Sequence, residues 1–304
     1  MNLHKKTITF AETGEKILKY MKEVFPNASL KQIYQIIRQK DVKINNKKVP
    51  ADYVLKEGDI ITIYHTLSES KPLKSSYVIN FQVIYEDDNI LVINKPIGVE
   101  TIGEGNSIAN QVLTYYKDNN SSFTPAPIHR LDRNTSGLLI VAKNNLTSQI
   151  LSLHLKKRTG IKKNYYALVS GHAKAEETIS LNLEKDLEKN KVLSKKEGQT
   201  AITKYTLIET NNKYSFLDVE LLTGRTHQIR AHLALVGLAI LGDAKYGDFQ
   251  LNKYLDEKYH FKHQFLQAYK LSFSDLEDHL KYLNNKTITI PLNAELLKLK
   301  KELL

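Results

Sequence analysis

Between Val83 and Leu222 the chain returns repeatedly to short apolar segments separated by polar turns, and this rhythm constrains its fold more than any other feature. The segments are Val83 to Tyr85, Ile90 to Asn94, Leu138 to Ala142, Tyr165 to Val169, Thr178 to Leu183, Thr200 to Glu209 and Phe216 to Leu222. Their length and composition read as strands. Asn211-Asn212 joins the last two as a hairpin. Helical spacing is found over Leu146 to Lys157, with a basic end, and over about Thr226 to Val236. Many antiparallel strands with few helices predict an α+β domain on a mainly antiparallel mixed sheet. The charged stretch Asp186 to Gly198 predicts an exposed loop, and the tail Leu292 to Leu304 predicts a surface helix.

The first 65 residues have a different texture. Ile17, Tyr20, Met21 and Val24 fall at helical spacing after Thr13, which reads as an N-cap. Ser29 with Gln32 three residues on is a capping-box pattern. The helix it opens buries Leu30, Ile33, Ile36 and Ile37 and turns Lys31, Gln35 and Arg38 outward. Val42, Ile44 and Val49 around Asn45-Asn46 predict a short hairpin, and Gly58-Asp59 turns into a strand from Ile60 to Tyr64. A polar stretch, Thr66 to Ser76, follows. With roughly 150 residues per domain as a guide, 304 residues divide into a small α+β unit (1–65), a linker (66–78) and a large domain (79–304).

Charge points to the partner. Lys plus Arg is 44 against 33 Asp plus Glu, a net of +11. Residues 1–65 hold 12 basic and 7 acidic residues, and Lys31, Arg38, Lys40, Lys43, Lys47 and Lys48 face only Asp41 within 18 positions. Such a run is either a solvated surface or a set of phosphate contacts, and its helix-to-hairpin placement favours the second. There is no Cys, which excludes thiolate nucleophiles, thiolate metal sites and disulfides. The longest apolar run, Leu233 to Leu241, is far short of the roughly 18 residues of a membrane span. No apolar stretch near the start resembles a secretory signal. The expectation is a cytoplasmic protein with a polyanionic partner rather than a membrane.

Only six basic residues are Arg, and four of them lie in two short runs. The first is His129-Arg130-Leu131-Asp132-Arg133-Asn134-Thr135-Ser136-Gly137, a carboxylate between two guanidiniums just before an apolar strand. No G-x-S-x-G elbow accompanies Ser136, so its hydroxyl is expected to fix the turn. The second is Thr223-Gly224-Arg225-Thr226-His227-Gln228-Ile229-Arg230, a glycine turn entering a helix. Arg there can hold a phosphate or the Asp132 carboxylate, and spacing does not choose between them. The His pairs 227/232 and 260/263 lack a third ligand, so no metal site is expected. A third run, Lys163 to Val169, places aromatic Tyr165 beside basic residues, where a ring can pack in the core or stack on a base.

These runs resemble the RluA-type pseudouridine synthases. HRLDRNTSGLLIVAK (129–143) is similar to the family signature, and DDNILVINKPIG (87–98), KKNYYALVSG (162–171), EGQTAITKY (197–205) and LLTGRTHQIRAHL (221–233) follow in the same order. YGDFQLNKYLDEK followed by FLQAYKLSF looks most like the RluC-type branch. Residues 13–64, with Arg38 to Asn45 and Gly58 to Ile61, resemble the ribosomal-protein-S-four type of RNA-binding domain. The resemblance implies isomerisation of uridines in RNA, most naturally large-subunit ribosomal RNA, by a monomer without cofactor. It implies Asp132 as the essential carboxylate, Tyr165 as the active-site ring and Arg230 as the partner of Asp132. Arg130 would open the RNA around the target, with His129, Arg225, Lys31, Arg38 and Lys43 as further substrate contacts. Asp132 is expected to be charged and buried against Arg230. Leu238-Ala239 and Val99-Glu100-Thr101 depart from the usual pattern, at what would be the edge of the site. A base-excising hydrolase using Asp132 and a non-catalytic RNA-binding protein are the competing readings.

Overall fold

The computed structural model describes residues 4–25, 28–64, 77–117, 123–186 and 191–304. The expected linker lies outside them except for Tyr77 and Val78. The N-terminal elements are β1 (His4–Thr7), α1 (Ile17–Val24), α2 (Leu30–Gln39), β2 (Val42–Ile44), β3 (Lys47–Lys48) and β4 (Ile60–Ile63). The strands form an antiparallel sheet in the order β1-β4-β2-β3. Ile17, Tyr20 and Met21 of α1 and Ile33, Ile36 and Ile37 of α2 pack on Val42, Ile44, Ile61 and Ile63. Ser29 caps α2, its side chain accepting from the Gln32 amide while Gln32 takes the Ser29 N–H at 2.8 Å. Asn45 and Asn46 both have positive φ, the geometry of a tight I′ hairpin turn.

Two local expectations change. Thr13 does not cap α1: it closes a short turn over Phe10–Glu12, and α1 starts from Lys16. Leu30 shares the face of Ile33, but its place in the first turn leaves it 55% exposed.

The second group begins with β5 (Gln82–Glu86), β6 (Ile90–Lys95), α3 (Ile108–Tyr115), β7 (Ala126–Pro127), β8 (Ser136–Ala142) and α4 (Asn145–Lys157). It continues with β9 (Ile161–Ser170), β10 (Glu176–Asp186), β11 (Lys191–Ser194), β12 (Gln199–Thr210), β13 (Tyr214–Leu221) and α5 (Gln228–Leu235). It ends with α6 (Phe249–Tyr259), β14 (Leu266–Phe273), β15 (Thr287–Thr289) and α7 (Ala294–Leu303). One sheet runs β11-β10-β12-β13-β9-β14-β8-β6-β5, with β7 on β8 and β15 on β14. Among the described residues every pairing is antiparallel except β8 with β14, so the class is α+β on a mixed, mainly antiparallel sheet. The stretch expected as a loop at 186–198 instead contains β11, because Val192 is buried and Leu193 half-buried while Lys191 and Ser194 stay exposed at the sheet edge.

The centre of the sheet positions the chemistry. Tyr165 on β9 pairs with Ala268 of β14, and Ala268 pairs with Gly137 at the start of β8. The turn carrying Asp132 is therefore set two strands from Tyr165. Gly137 has φ 114, and a Cβ there would lie 2.1 Å from the Ala268 carbonyl oxygen, so only glycine permits this approach. At α4, the Asn145 amide donates to the Thr13 carbonyl at 3.1 Å and Gln149 to that of Gly14 at 3.3 Å, joining the two groups of elements.

Candidate active site

Asp132 stands in the turn between β7 and β8, where its carbonyl accepts from the Thr135 N–H at 3.0 Å. The preceding residue is held on both sides: Thr101 Oγ1 donates to the Leu131 carbonyl at 2.9 Å and accepts from its N–H at 3.1 Å. Lys95, fully buried, points its Nζ at the carbonyls of Pro96, Val99 and Arg133 at 2.9, 2.7 and 3.0 Å. Three N–H donors thus meet three acceptors. Burial draws the Lys95 ammonium down to about 7, against the pull of Asp132. Arg133 Nε donates to the Gly98 carbonyl at 3.0 Å. Of the two arginines flanking Asp132, this one fastens the turn to the end of β6.

The partner of Asp132 comes from α5. Arg230, 8% exposed, donates from Nη1 to Asp132 Oδ2 at 2.8 Å. Its Nε and Nη2 fork onto Asp243 at 2.7 and 2.9 Å. Asp243, fully buried, also accepts from the N–H groups of Lys245 and Tyr246. Burial alone would raise its pKa, but Arg230 and these amides hold the carboxyl below its usual range. Burial likewise works against the Arg230 charge and is overcome by Asp243 and Asp132, which push its pKa up. Asp132 itself is half-buried, at 19% exposure, rather than buried: one edge meets Arg230 and the rest faces a cavity.

The turn entering α5 is built around Gln228. Its Oε1 accepts from Thr223 Oγ1 and the Arg225 N–H, and its Nε2 donates to the Ile202 carbonyl and Thr203 Oγ1. This fixes Arg225 and His227 at the rim of the site.

Two main cavities meet at Asp132, beside a third of only about 60 Å³. The larger, about 500 Å³, is lined by Tyr165, Arg130, Arg225, Lys163, Lys156 and Arg158 among others. The smaller, about 320 Å³, lies toward Glu100, Asn134, Lys245 and Gln264. Tyr165 is 4% exposed, and burial, then Asp132, push its phenol above its ordinary pKa. Lys163 is drawn down to about 8 by burial. His129 turns inward: its Nε2 accepts from the Ile140 N–H at 3.1 Å, and burial, then Lys163, bring it down to about 3. Arg130 is exposed and borders both cavities. Lys31 and Arg38 lie exposed on α2 and Lys43 half-buried on β2, outside the lining of these cavities.

Residues 89–235 match the RNA pseudouridylate synthase family, and residues 15–61 match the S4 domain. The chain is 33% identical over 302 residues to an RNA pseudouridine synthase of Mycoplasma capricolum subsp. capricolum, covering 91% of this chain and 94% of that protein. This chain belongs to the RNA pseudouridine synthase family. The synthase is also 34% identical over 270 residues to a ribosomal large subunit pseudouridine synthase C of Rickettsia bellii, covering 82% of this chain and 88% of that one. Its fold is shared with the human RNA pseudouridylate synthase domain containing 4 protein, at a TM-score of 0.58 and 20% identity over 71% of this chain and 90% of that one. The synthase is an enzyme that isomerises uridine in RNA, and RNA is its partner.

Asp132, Tyr165 and Arg230 all fall within the matched residues 89–235, whereas Asp243 lies beyond them. The sequence offers only a faint signal for Asp243, a lone carboxylate one glycine after the apolar run that ends at Leu241. Thr101, the last residue of the Val99-Glu100-Thr101 stretch, grips Leu131. Leu238 is buried in the main core and the Ala239 carbonyl accepts from the Ser170 N–H at 2.9 Å. Ser170 is five residues along β9 from Tyr165, roughly 16 Å, so Leu238-Ala239 closes the far end of β9 rather than edging the site. Among the described residues, no group of three His, Asp or Glu side chains is placed to hold a metal ion. No described helix is long and apolar enough to cross a membrane.

Proposed function

We propose that the substrate is large-subunit ribosomal RNA, that residues 1–65 form an RNA-binding domain and 79–304 the catalytic domain, and that Asp132 is the reacting carboxylate. The observation that carries the assignment is the Asp132–Arg230–Asp243 bridge: a dedicated, doubly anchored guanidinium holds one carboxylate at the meeting point of two cavities. The names of relatives such as the Rickettsia bellii protein support the substrate class.

The chemistry requires the N1–C1′ bond to break with its electron pair leaving on the uracil. Asp132 either bonds to C1′ or takes the C2′ proton, and in both cases needs an ionised oxygen beside the sugar. The base turns in place and C5 joins C1′ as the Asp132–C1′ bond breaks or, in the other route, as Asp132 returns the proton to C2′; the C5 proton is then lost and N1 gains one, so atoms and charge balance. Tyr165, whose phenol stays protonated, packs against the base rather than acting as a phenolate base. Arg130 holds the opened RNA as the target leaves its stack, which costs a few kcal/mol. Arg225 and the basic wall formed by Lys156, Arg158 and Lys163 receive the adjoining phosphates.

Ribosomal RNA tritiated at uracil C5 tests the reading. The wild-type chain should release tritium with no free uracil, and Asp132→Asn should release none while still binding RNA. Free uracil would favour excision, and full turnover by the Asn variant would remove Asp132 from the reaction.

A further inference from the structure

His227 occupies a peculiar position. It is the residue before α5, held in the left-handed region at φ 51, a conformation that a non-glycine residue keeps only when its surroundings impose it. Its ring is clamped from one side: Nδ1 lies 3.0 Å from Tyr246 Oη, with the rings edge to face at 5.7 Å. Tyr246 Oη already accepts the Val192 N–H at 2.8 Å. Its own proton needs an acceptor, and among the described residues His227 Nδ1 is the only one within hydrogen-bonding distance. The tautomer follows from the network: Nδ1 accepts, so Nε2 carries the hydrogen.

Nε2 points into the site. It lies 3.9 Å from Asp132 Oδ2, too far for a hydrogen bond, and that oxygen is already engaged by Arg230. His227 lines both cavities that meet at Asp132. The charges around it come from every side: Asp132 and Asp243 favour the imidazolium, while Arg230 and Lys245 oppose it. Burial is the largest influence and keeps the ring below its ordinary pKa, hence neutral.

We propose that His227 is a further catalytic residue, a neutral Nε2–H donor that holds a carbonyl oxygen of the detached uracil, with Tyr246 as the positioning residue that fixes its tautomer. The inference rests on the reading of Asp132 as the reacting carboxylate. Once the glycosidic bond breaks, the base carries the electron pair, spread over its ring nitrogen and carbonyl oxygens. A preorganised donor at one of those oxygens stabilises the anion. A neutral donor does so without surrendering its proton, so the ring stays electron-rich enough for C5 to attack the sugar. The same logic underlies the use of neutral imidazole as an electrophile elsewhere.

The test uses the full chain, 5-tritiated ribosomal RNA and 15N-labelled histidine. His227→Gly removes the ring and tolerates the left-handed backbone. It should lower kcat about 100-fold, the scale of removing one donor to a developing anion, with KM within about threefold of wild type. His227→Gln, whose amide can reach the Nε2 position, should recover at least tenfold of that loss. In the wild type at pH 7.5, the imidazole signal absent from His227→Gly should be neutral and protonated at Nε2. In Tyr246→Phe it should move toward the other tautomer while kcat falls about tenfold. A kcat for His227→Gly within twofold of wild type, or an Nδ1–H or imidazolium signature in the wild type, would overturn the proposal. If the Gly variant does not fold, the Tyr246→Phe kinetics and the wild-type spectrum compared with Tyr246→Phe decide it. Absence of tritium release by the wild type would instead sink the Asp132 reading, leaving the tautomer assignment standing on the spectrum.

Discussion

Arg230 shows how much of the site depends on single atoms. A guanidinium offers a rigid fork, and here two of its nitrogens are committed to Asp243 so that the remaining one meets Asp132. Asp243→Asn leaves Arg230 in place with half its counter-charge gone. Breaking a buried pair from one side costs about 3–5 kcal/mol, which for a domain of this size corresponds to a fall in Tm of roughly 10 °C. We expect that fall in calorimetry, together with a drop in kcat of about 100-fold and little change in RNA affinity. An unchanged kcat would show that Asp132 needs no anchored arginine. Asp132 and Arg230 stand out in the sequence because arginine is scarce and clustered, yet the clustering does not reveal which arginine does what. Arg133 is consumed by the Gly98 carbonyl and His129 by the Ile140 amide, contacts that only the folded chain can show. Asp243 escapes the sequence because its pairing spans the end of α5 and a glycine turn, a route that leaves no periodic trace.

At the scale of elements, β6, β8, β9, β10, β12 and β13 follow from apolar segments that keep one face or both in the core, β5 follows although it has no buried residue, and the two-residue β7 leaves no sequence trace. β14 is harder to find, since its alternation is masked by burial on both sides: five of its first six residues are buried. β11 is hidden for the opposite reason, a charged edge with one buried anchor. The start of α1 also departs from its sequence signals, and the charges along that helix make a testable element. Glu15 and Glu23 share Lys19, at 2.9 and 3.5 Å. Burial, then Glu15, push the Glu23 carboxyl up to about 7. A carboxyl whose folded pKa is raised binds its proton more tightly in the folded than in the unfolded state. Its contribution is present below the unfolded value of about 4.5 and fades as pH rises to about 7. α1 amides should therefore lose protection across that window in hydrogen exchange corrected for intrinsic rates, by on the order of 2 kcal/mol after solvent screening. Glu23→Gln should flatten the profile and raise protection at pH 8; a slope that persists in this variant would assign the titration to another group.

For the molecule as a whole, the net charge of +11 separates into two populations that do different work. Arginine is concentrated near Asp132, where geometry matters, whereas lysine forms a patch on the small N-terminal sheet and helix. Lys40, Lys43 and Lys48 are close enough that Lys40, then burial and Lys43, push Lys48 below its usual range. Lys43 also lies over the Tyr64 ring at 4.8 Å, so its stem is ordered while its charge stays at the surface. Holding like charges together is unfavourable in isolation and becomes favourable beside a phosphate backbone, where each neutralised phosphate releases a counterion. Replacing Lys40, Lys43 and Lys48 by Gln should therefore weaken RNA binding most at low salt. The slope of log affinity against log salt should become shallower by about 0.7–0.9 for each phosphate that is no longer neutralised. At saturating RNA, kcat should be unchanged, because none of the three lines the cavities at Asp132. Lys298 and Lys301, exposed on α7, provide the control: their replacement removes charge from a surface unrelated to the patch and should leave the slope nearly as it is. If both sets of variants change the slope equally, RNA senses only the overall charge of the protein, and the S4-like unit holds its substrate through some other surface.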